Sequence, residues 1–253
     1  MSQVVLKSVQ SPERVSERDV RVSLAACYRL IAHFGMDDLV FTHISARVPG
    51  RPDQFFLNPY GLMFHEITAS SLVKMGMDAR PADPTAYQVN RAGFVIHSAV
   101  LGARPDVNCV LHTHTRSGVA VSCLEEGLLS LNQFSAAYHN RVAYHDYEGV
   151  ADDFEERERL VRDLGSKHTM ILRNHGLLTA GRTVPEAFSL MYYLEQSCRI
   201  QMDAMASGGA VKVLSEEVAE HTAQQFESYG PRGEREWPAL LRLLDAKDPS
   251  FRQ

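Results

Sequence analysis

The sequence predicts an α/β domain with a central sheet flanked by helices. Short apolar or alternating runs, bounded by turn residues, recur at 40–48, 54–57, 107–111, 169–172 and 177–180. Between them lie stretches with apolar residues at helical spacing, and this mixture packs as helices against a sheet. Composition agrees: 253 residues, 45% hydrophobic and 23% charged, match an ordinary globular protein with a substantial core.

In chain order, residues 1–15 read as a loosely held arm, polar over 1–13. Ser16 then caps a helix with acidic residues in its first turn. Val20, Leu24, Cys27, Tyr28, Leu30 and Ile31 recur at helical spacing until Gly35 stops it. The runs at 40–48 and 54–57 read as two strands joined by a hairpin turn at Pro49-Gly50-Arg51-Pro52-Asp53. Asn58-Pro59-Tyr60-Gly61 is a further turn, and 68–71 caps a short helix toward Lys74. Residues 90–101 read as a helix, 107–111 as a buried strand and 117–123 as a helix. A charged amphipathic helix at 151–164 precedes a strand pair over 167–180. Thr183 opens a long helix over 184–205, with Pro185 in the first turn, where a missing N–H costs little. Helices at 216–226 and 237–245 complete the chain, with 229–238 between them reading as a surface loop. The expected organisation is a main domain over 16–210 and a helical extension over 211–253, packed on the same domain or on a neighbouring subunit.

The net charge of −5 advertises no basic face for nucleic acid. No segment has the pattern of a signal peptide or the length of a membrane span, so a cytoplasmic protein without membrane partners is expected. Cys27, Cys109, Cys123 and Cys198 form no CxxC pair and read as buried free thiols.

The chemistry concentrates in His112-Thr113-His114 and in Asn174-His175-Gly176. Residues two apart on a strand share a face, so both imidazoles of the first motif can reach one ion. The second motif lies between two apolar runs, where a turn can aim a third imidazole at the same point. Three His ligands with a position left open make a catalytic metal site. Imidazole suits zinc, iron, copper or nickel, and manganese is compatible, so the ligands alone do not name the ion.

Taken together and in order, several motifs resemble the class II aldolase/adducin family. They are His97-Ser98-Ala99-Val100, Arg104-Pro105-Asp106-Val107, Val110-Leu111-His112-Thr113-His114, Leu172-Arg173-Asn174-His175-Gly176-Leu177 and Gly181-Arg182-Thr183-Val184-Pro185-Glu186-Ala187-Phe188. The resemblance implies a three-layer α/β/α sandwich around a largely antiparallel sheet, commonly assembled as a tetramer. It also implies His112, His114 and His175 as ligands of a divalent metal, usually zinc, with manganese or iron as other choices. Thr113, Asn174 and Tyr138 are candidates to orient those ligands.

The departures from the family narrow the chemistry. Sugar-phosphate aldolases have a Gly-Asn-x-Ser segment, a Thr-Pro-Ser-Gly turn and a Ser-Ser pair around the phosphate. Here these fall at Thr42-His43-Ile44-Ser45, Asn58-Pro59-Tyr60-Gly61 and Arg91-Ala92. An unphosphorylated substrate is therefore expected, met by His43, Ser45, Asn58, Gly61 and Arg91, with His43 and Arg91 suited to a carboxylate or phenolate. The Glu that shuttles the proton in the aldolases is replaced by Gly93. Candidate catalytic groups are then His97, His65, Glu66 and Tyr138, with His139, Tyr144 and His145 also titratable. The expected function is a metal-dependent lyase, decarboxylase or retro-aldol in type. It would act on a small keto or hydroxy acid or an aromatic hydroxy acid, as a homo-oligomer. Two alternatives share the fold: a non-haem Fe(II) oxygenase, and a non-catalytic adducin-like assembly module.

Overall fold

The computed structural model describes residues 15–149 and 156–253. Among these, seven strands form one sheet in the order β3-β2-β1-β4-β7-β6-β5. They are β1 (His43–Val48), β2 (Arg51–Leu57), β3 (Val73–Gly76), β4 (Cys109–Thr113), β5 (Val142–His145), β6 (Thr169–Leu172) and β7 (Gly176–Gly181). Every neighbouring pair is antiparallel except β5 with β6. This is the three-layer arrangement expected from sequence.

Alternation along the strands divides the core in two. On one face Ile44, Ala46, Val48, Cys109, Leu111 and Leu177 pack against α1 (Glu17–His33) and α6 (Val184–Ala206). On the other, Phe55, Leu57, Val110, Leu178 and Ala180 pack against α2 (Arg91–Ala103) and α5 (Glu156–Leu164). The polar residues His43, Ser45 and His112 share the register of this second face, and α2 closes over them.

Caps set the helix starts. The Asp19 N–H donates to Ser16 Oγ at 3.1 Å while the Ser16 N–H donates to Asp19 Oδ2 at 3.0 Å, closing a reciprocal capping box on α1. Asn90, Thr115 and Thr183 cap α2, α3 (Arg116–Ser122) and α6 more simply, each side chain accepting from a first-turn N–H without the reciprocal bond. At the chain's end, α7 (Glu216–Ser228) supplies Glu220 and Glu227 to the Arg141 guanidinium. Further on, α8 (Trp237–Lys247) and the turn Pro249–Arg252 lie against α1, where Arg29 pairs with Asp248 at 3.0 Å.

Several elements differ from the sequence reading. The short helix expected from 68 toward Lys74 is absent: 68–71 is a turn, and the chain then enters β3, whose Val73 and Met75 are buried against β2. Alternation over four residues at a sheet edge is too short a signal to outweigh local capping residues. The strand expected at 40–48 begins only at His43, because Leu39 and Thr42 take left-handed φ values of 50° and 63°. Strand β5 and the one-turn helix α4 (Gln133–Ala136) were not anticipated, both being only four residues long. The arm over 1–14 and the start of the 151–164 helix lie outside the described residues.

Candidate metal centre

His112 is the fourth residue of β4, His114 lies one residue beyond its end, and His175 sits in the turn between β6 and β7. Their Nε2 atoms converge: His112 to His114 is 2.8 Å, His114 to His175 is 2.9 Å, and all three lie within 4.8 Å of one another. The Asn-His-Gly motif has a steric logic. Asn174 takes φ 54°, a left-handed conformation that Asn tolerates better than most residues. Gly176 lets β7 approach β4, since a Cβ there would stand 2.4 Å from the Thr113 carbonyl oxygen and 3.3 Å from His114 Cδ2.

The outer nitrogens decide what the inner ones can do. His112 Nδ1 lies 2.9 Å from the Leu177 carbonyl oxygen, which only accepts, so Nδ1 carries the proton. His114 Nδ1 lies 3.0 Å from Asp38 Oδ2 and donates likewise. Both Nε2 atoms are thereby left as lone pairs, and two lone pairs 2.8 Å apart repel unless a cation lies between them. Burial pushes the His112 imidazole well below the ordinary histidine range, and burial with neighbouring His114 and His145 lowers His175 to about 4. Both are neutral near pH 7, the form that binds metal. Tetrahedral M–N bonds of ~2.0–2.1 Å set nitrogens ~3.3 Å apart, so a cation is accommodated by widening these contacts by about 0.5 Å. The donor set fits a divalent ion.

A second polar cluster adjoins the first. His43 is paired with His112 across β1 and β4, and their rings lie 5.2 Å apart, tilted by 34°. His43 Nδ1 lies 2.8 Å from His97 Nε2, and His97 Nδ1 lies 2.5 Å from Ser45 Oγ. All three residues are buried.

The other candidates lie elsewhere. The Tyr138 hydroxyl donates to the Leu190 carbonyl at 2.7 Å, inside the core on the α6 side of the sheet, so Tyr138 is part of that layer and orients none of the three imidazoles. The side chains of Thr113 and Asn174 are also not the orienting partners: Thr113 Oγ1 contacts Met191 Sδ at 3.3 Å, and Asn174 shapes the turn. Asn58 Oδ1 accepts from the Tyr28 hydroxyl at 2.8 Å, tying β2 to α1. His65, Gly61 and Arg91 are exposed, and Glu66 is exposed with its carboxylate accepting from the Met63 N–H at 2.7 Å. His139 Nδ1 bonds Ser130 Oγ at 3.1 Å, the Tyr144 hydroxyl accepts from the Leu128 N–H at 3.0 Å, and His145 Nδ1 donates to Asp163 at 2.8 Å. Sequence reasoning missed Asp38, which lies 76 residues from His114, and the exposed Tyr147, whose ring stands 6.3 Å from that of His175. Neither carries a local motif.

Comparison with known proteins identifies the family. Residues 22–202 match the model of the class II aldolase and adducin N-terminal domain. The crystal structure of an aldolase II superfamily protein from Pseudomonas syringae superposes with a TM-score of 0.90 at 48% identity, covering 96% of this chain and 98% of that one. L-fuculose 1-phosphate aldolase from Glaciozyma antarctica superposes with a TM-score of 0.83 at 29% identity, covering 94% and 93%. Alpha-adducin of Rattus norvegicus is 39% identical over 245 residues, 90% of this chain and 33% of that protein.

Proposed function

The chain belongs to the class II aldolase and adducin family, and from that premise we propose that it is a divalent-metal-dependent carbon–carbon lyase. The observation that carries this reading is the convergence of three Nε2 atoms, two of them held as lone pairs by Leu177 and Asp38. His112, His114 and His175 would hold the ion, zinc first, with manganese and iron as the other choices. When bound, such an ion acts as a Lewis acid toward the oxygen on which negative charge develops as a carbon–carbon bond breaks.

The substrate proposed is a small unphosphorylated keto or hydroxy acid, or an aromatic hydroxy acid. L-fuculose 1-phosphate aldolase is named for a sugar phosphate, but the positions that would cradle a phosphate differ here. Asn58 is committed to Tyr28, Gly61 and Arg91 lie exposed, and Thr42-His43 replace glycine and asparagine. Decarboxylation is favoured over retro-aldol cleavage because it needs no base to begin, and position 93 carries no carboxylate. The proposed setting is a cytoplasmic homo-oligomer of the tetrameric family type; among the described residues, no helix is long and apolar enough to cross a membrane. A second reading, a non-catalytic adducin-like module, is favoured by the 39% identity to alpha-adducin.

Elemental analysis of the purified protein, with a turnover screen of keto acids, hydroxy acids and aromatic hydroxy acids, tests the proposal. Replacing His112, His114 or His175 with alanine is expected to release most of the metal and leave a folded protein. Full metal content in all three variants refutes the ligand assignment, and a metal-loaded protein inert toward every acid favours the non-catalytic module. Bound iron with oxygen uptake on adding an aromatic hydroxy acid would replace the lyase by an oxygenase.

A further inference from the structure

Positions 43 and 93 depart from the sugar-phosphate aldolases separately in sequence, yet in the fold they are one exchange. A Cβ built on Gly93 would stand 2.5 Å from His43 Cδ2, 2.7 Å from its Cγ and 2.9 Å from its Nε2. The imidazole therefore occupies the path of any side chain leaving α2 at that point. A glutamate at 93 could enter only by displacing the His43 ring from this position.

The hydrogen bonds behind His43 determine which nitrogen carries its proton. The Ser45 hydroxyl is fully buried, and its one hydrogen-bond partner among the described residues is His97 Nδ1. A buried hydroxyl left without an acceptor is costly, so Ser45 donates and His97 Nδ1 accepts. A ring nitrogen that accepts a hydrogen bond carries no proton, so an imidazole with one accepting nitrogen holds its N–H on the other. His97 then has its proton on Nε2 and donates it to His43 Nδ1 across 2.8 Å. That leaves His43 with its proton on Nε2, the nitrogen bordering Gly93.

We infer that His43 presents a fixed Nε2–H donor beside the metal centre, where family members with Glu at this position have a carboxylate, and that this donor selects a substrate bearing an anionic oxygen. A protonated Nε2 has no lone pair for a cation, so His43 is a specificity residue and not a fourth ligand. It donates where a glutamate would accept and would repel an anion. The carboxylate of a chelating 2-hydroxy or 2-oxo acid meets that requirement, a step that rests on the proposed lyase acting on acids.

Nitrogen-15 NMR of zinc-loaded protein with labelled histidine reads the tautomer directly, the His43 signals being assigned by their loss in His43→Phe. The expected form is Nε2–H; an Nδ1–H tautomer at His43 overturns the inference. Calorimetric titration with glycolate, the simplest chelating 2-hydroxy acid, reads the function. A charge-assisted hydrogen bond corresponds to roughly 10- to 100-fold in affinity. Glycolate is expected to bind more weakly by about that factor in His43→Phe, at unchanged zinc content. Gly93→Ala, which keeps the imidazole but displaces it, is expected to weaken binding in the same direction and stands in if His43→Phe does not fold. Wild-type glycolate affinity in either folded variant overturns the inference. Failure of the zinc-loaded wild type to bind glycolate overturns the anion-selecting role even with the tautomer as expected, whereas failure to retain zinc removes the metal-centre reading itself.

Discussion

Replacing Gly176 with alanine adds one methyl group at the point where β7 passes closest to the metal centre. The new Cβ would stand 2.4 Å from the Thr113 carbonyl oxygen, and ordinary carbon–oxygen contact requires about 1 Å more. Both atoms belong to paired strands, so relief comes from spreading β4 and β7 near Thr113 and Leu177, which are Cα partners. Overpacking of this kind costs roughly 1–3 kcal/mol. The same movement shifts His114, whose Cδ2 lies 3.3 Å from the added methyl, and Leu177, whose carbonyl holds His112. Metal sites tolerate about 0.2 Å in ligand distance, so a shift nearing 1 Å is expected to weaken zinc by at least 10-fold. Gly102→Ala is the control. It lies within α2 with nothing within 4 Å of its added Cβ, and should stabilise the protein by about 0.5–1 kcal/mol. Urea unfolding and competition with a chromophoric zinc chelator measure both quantities. A Gly176→Ala protein with wild-type stability and zinc affinity would falsify the steric argument.

Further outcomes follow from individual contacts. Asp38→Ala removes the acceptor of His114 Nδ1 and should lower metal affinity roughly 10- to 100-fold, read by the same chelator competition; unaltered affinity would show that Asp38 does not hold the ring. The metal-free protein should lose stability as pH falls from about 6.5 toward 4. Folded His43, His97 and His112 lie well below the ordinary value and His175 at about 4, so in this window the unfolded chain binds more protons. Each imidazole contributes up to about 1.4 kcal/mol per pH unit, and urea midpoints in chelator that stay flat from pH 7 to 5 would contradict these burials. Ser16→Ala opens the capping box of α1 and should cost about 0.5–2 kcal/mol by urea unfolding, with zinc affinity untouched. A drop in zinc affinity there would mean that α1 communicates with the centre.

What the amino-acid sequence determined by itself was whatever repeats or caps locally. The periods of α1 and α6, their Ser16 and Thr183 caps, and the His-x-His and Asn-His-Gly motifs are all written within a few residues of themselves. The same holds for a turn at Asn174-His175-Gly176 and the absence of a carboxylate at 93. Tertiary structure alone decided the partners. Asp38 reaches His114 from 76 residues away, and Leu177 fixes His112 through a backbone carbonyl that no side-chain pattern announces. His43, offered by sequence as a substrate contact, proved to fill the space vacated at Gly93, and the proton on its outer nitrogen is set by a serine on its own strand acting through a histidine on α2. The physical reason is range. Periodicity reports which face a residue takes, within a turn of helix or a pair of strand positions. The distance and hydrogen-bond polarity between two faces arise only when strands from distant parts of the chain are brought together under one helix.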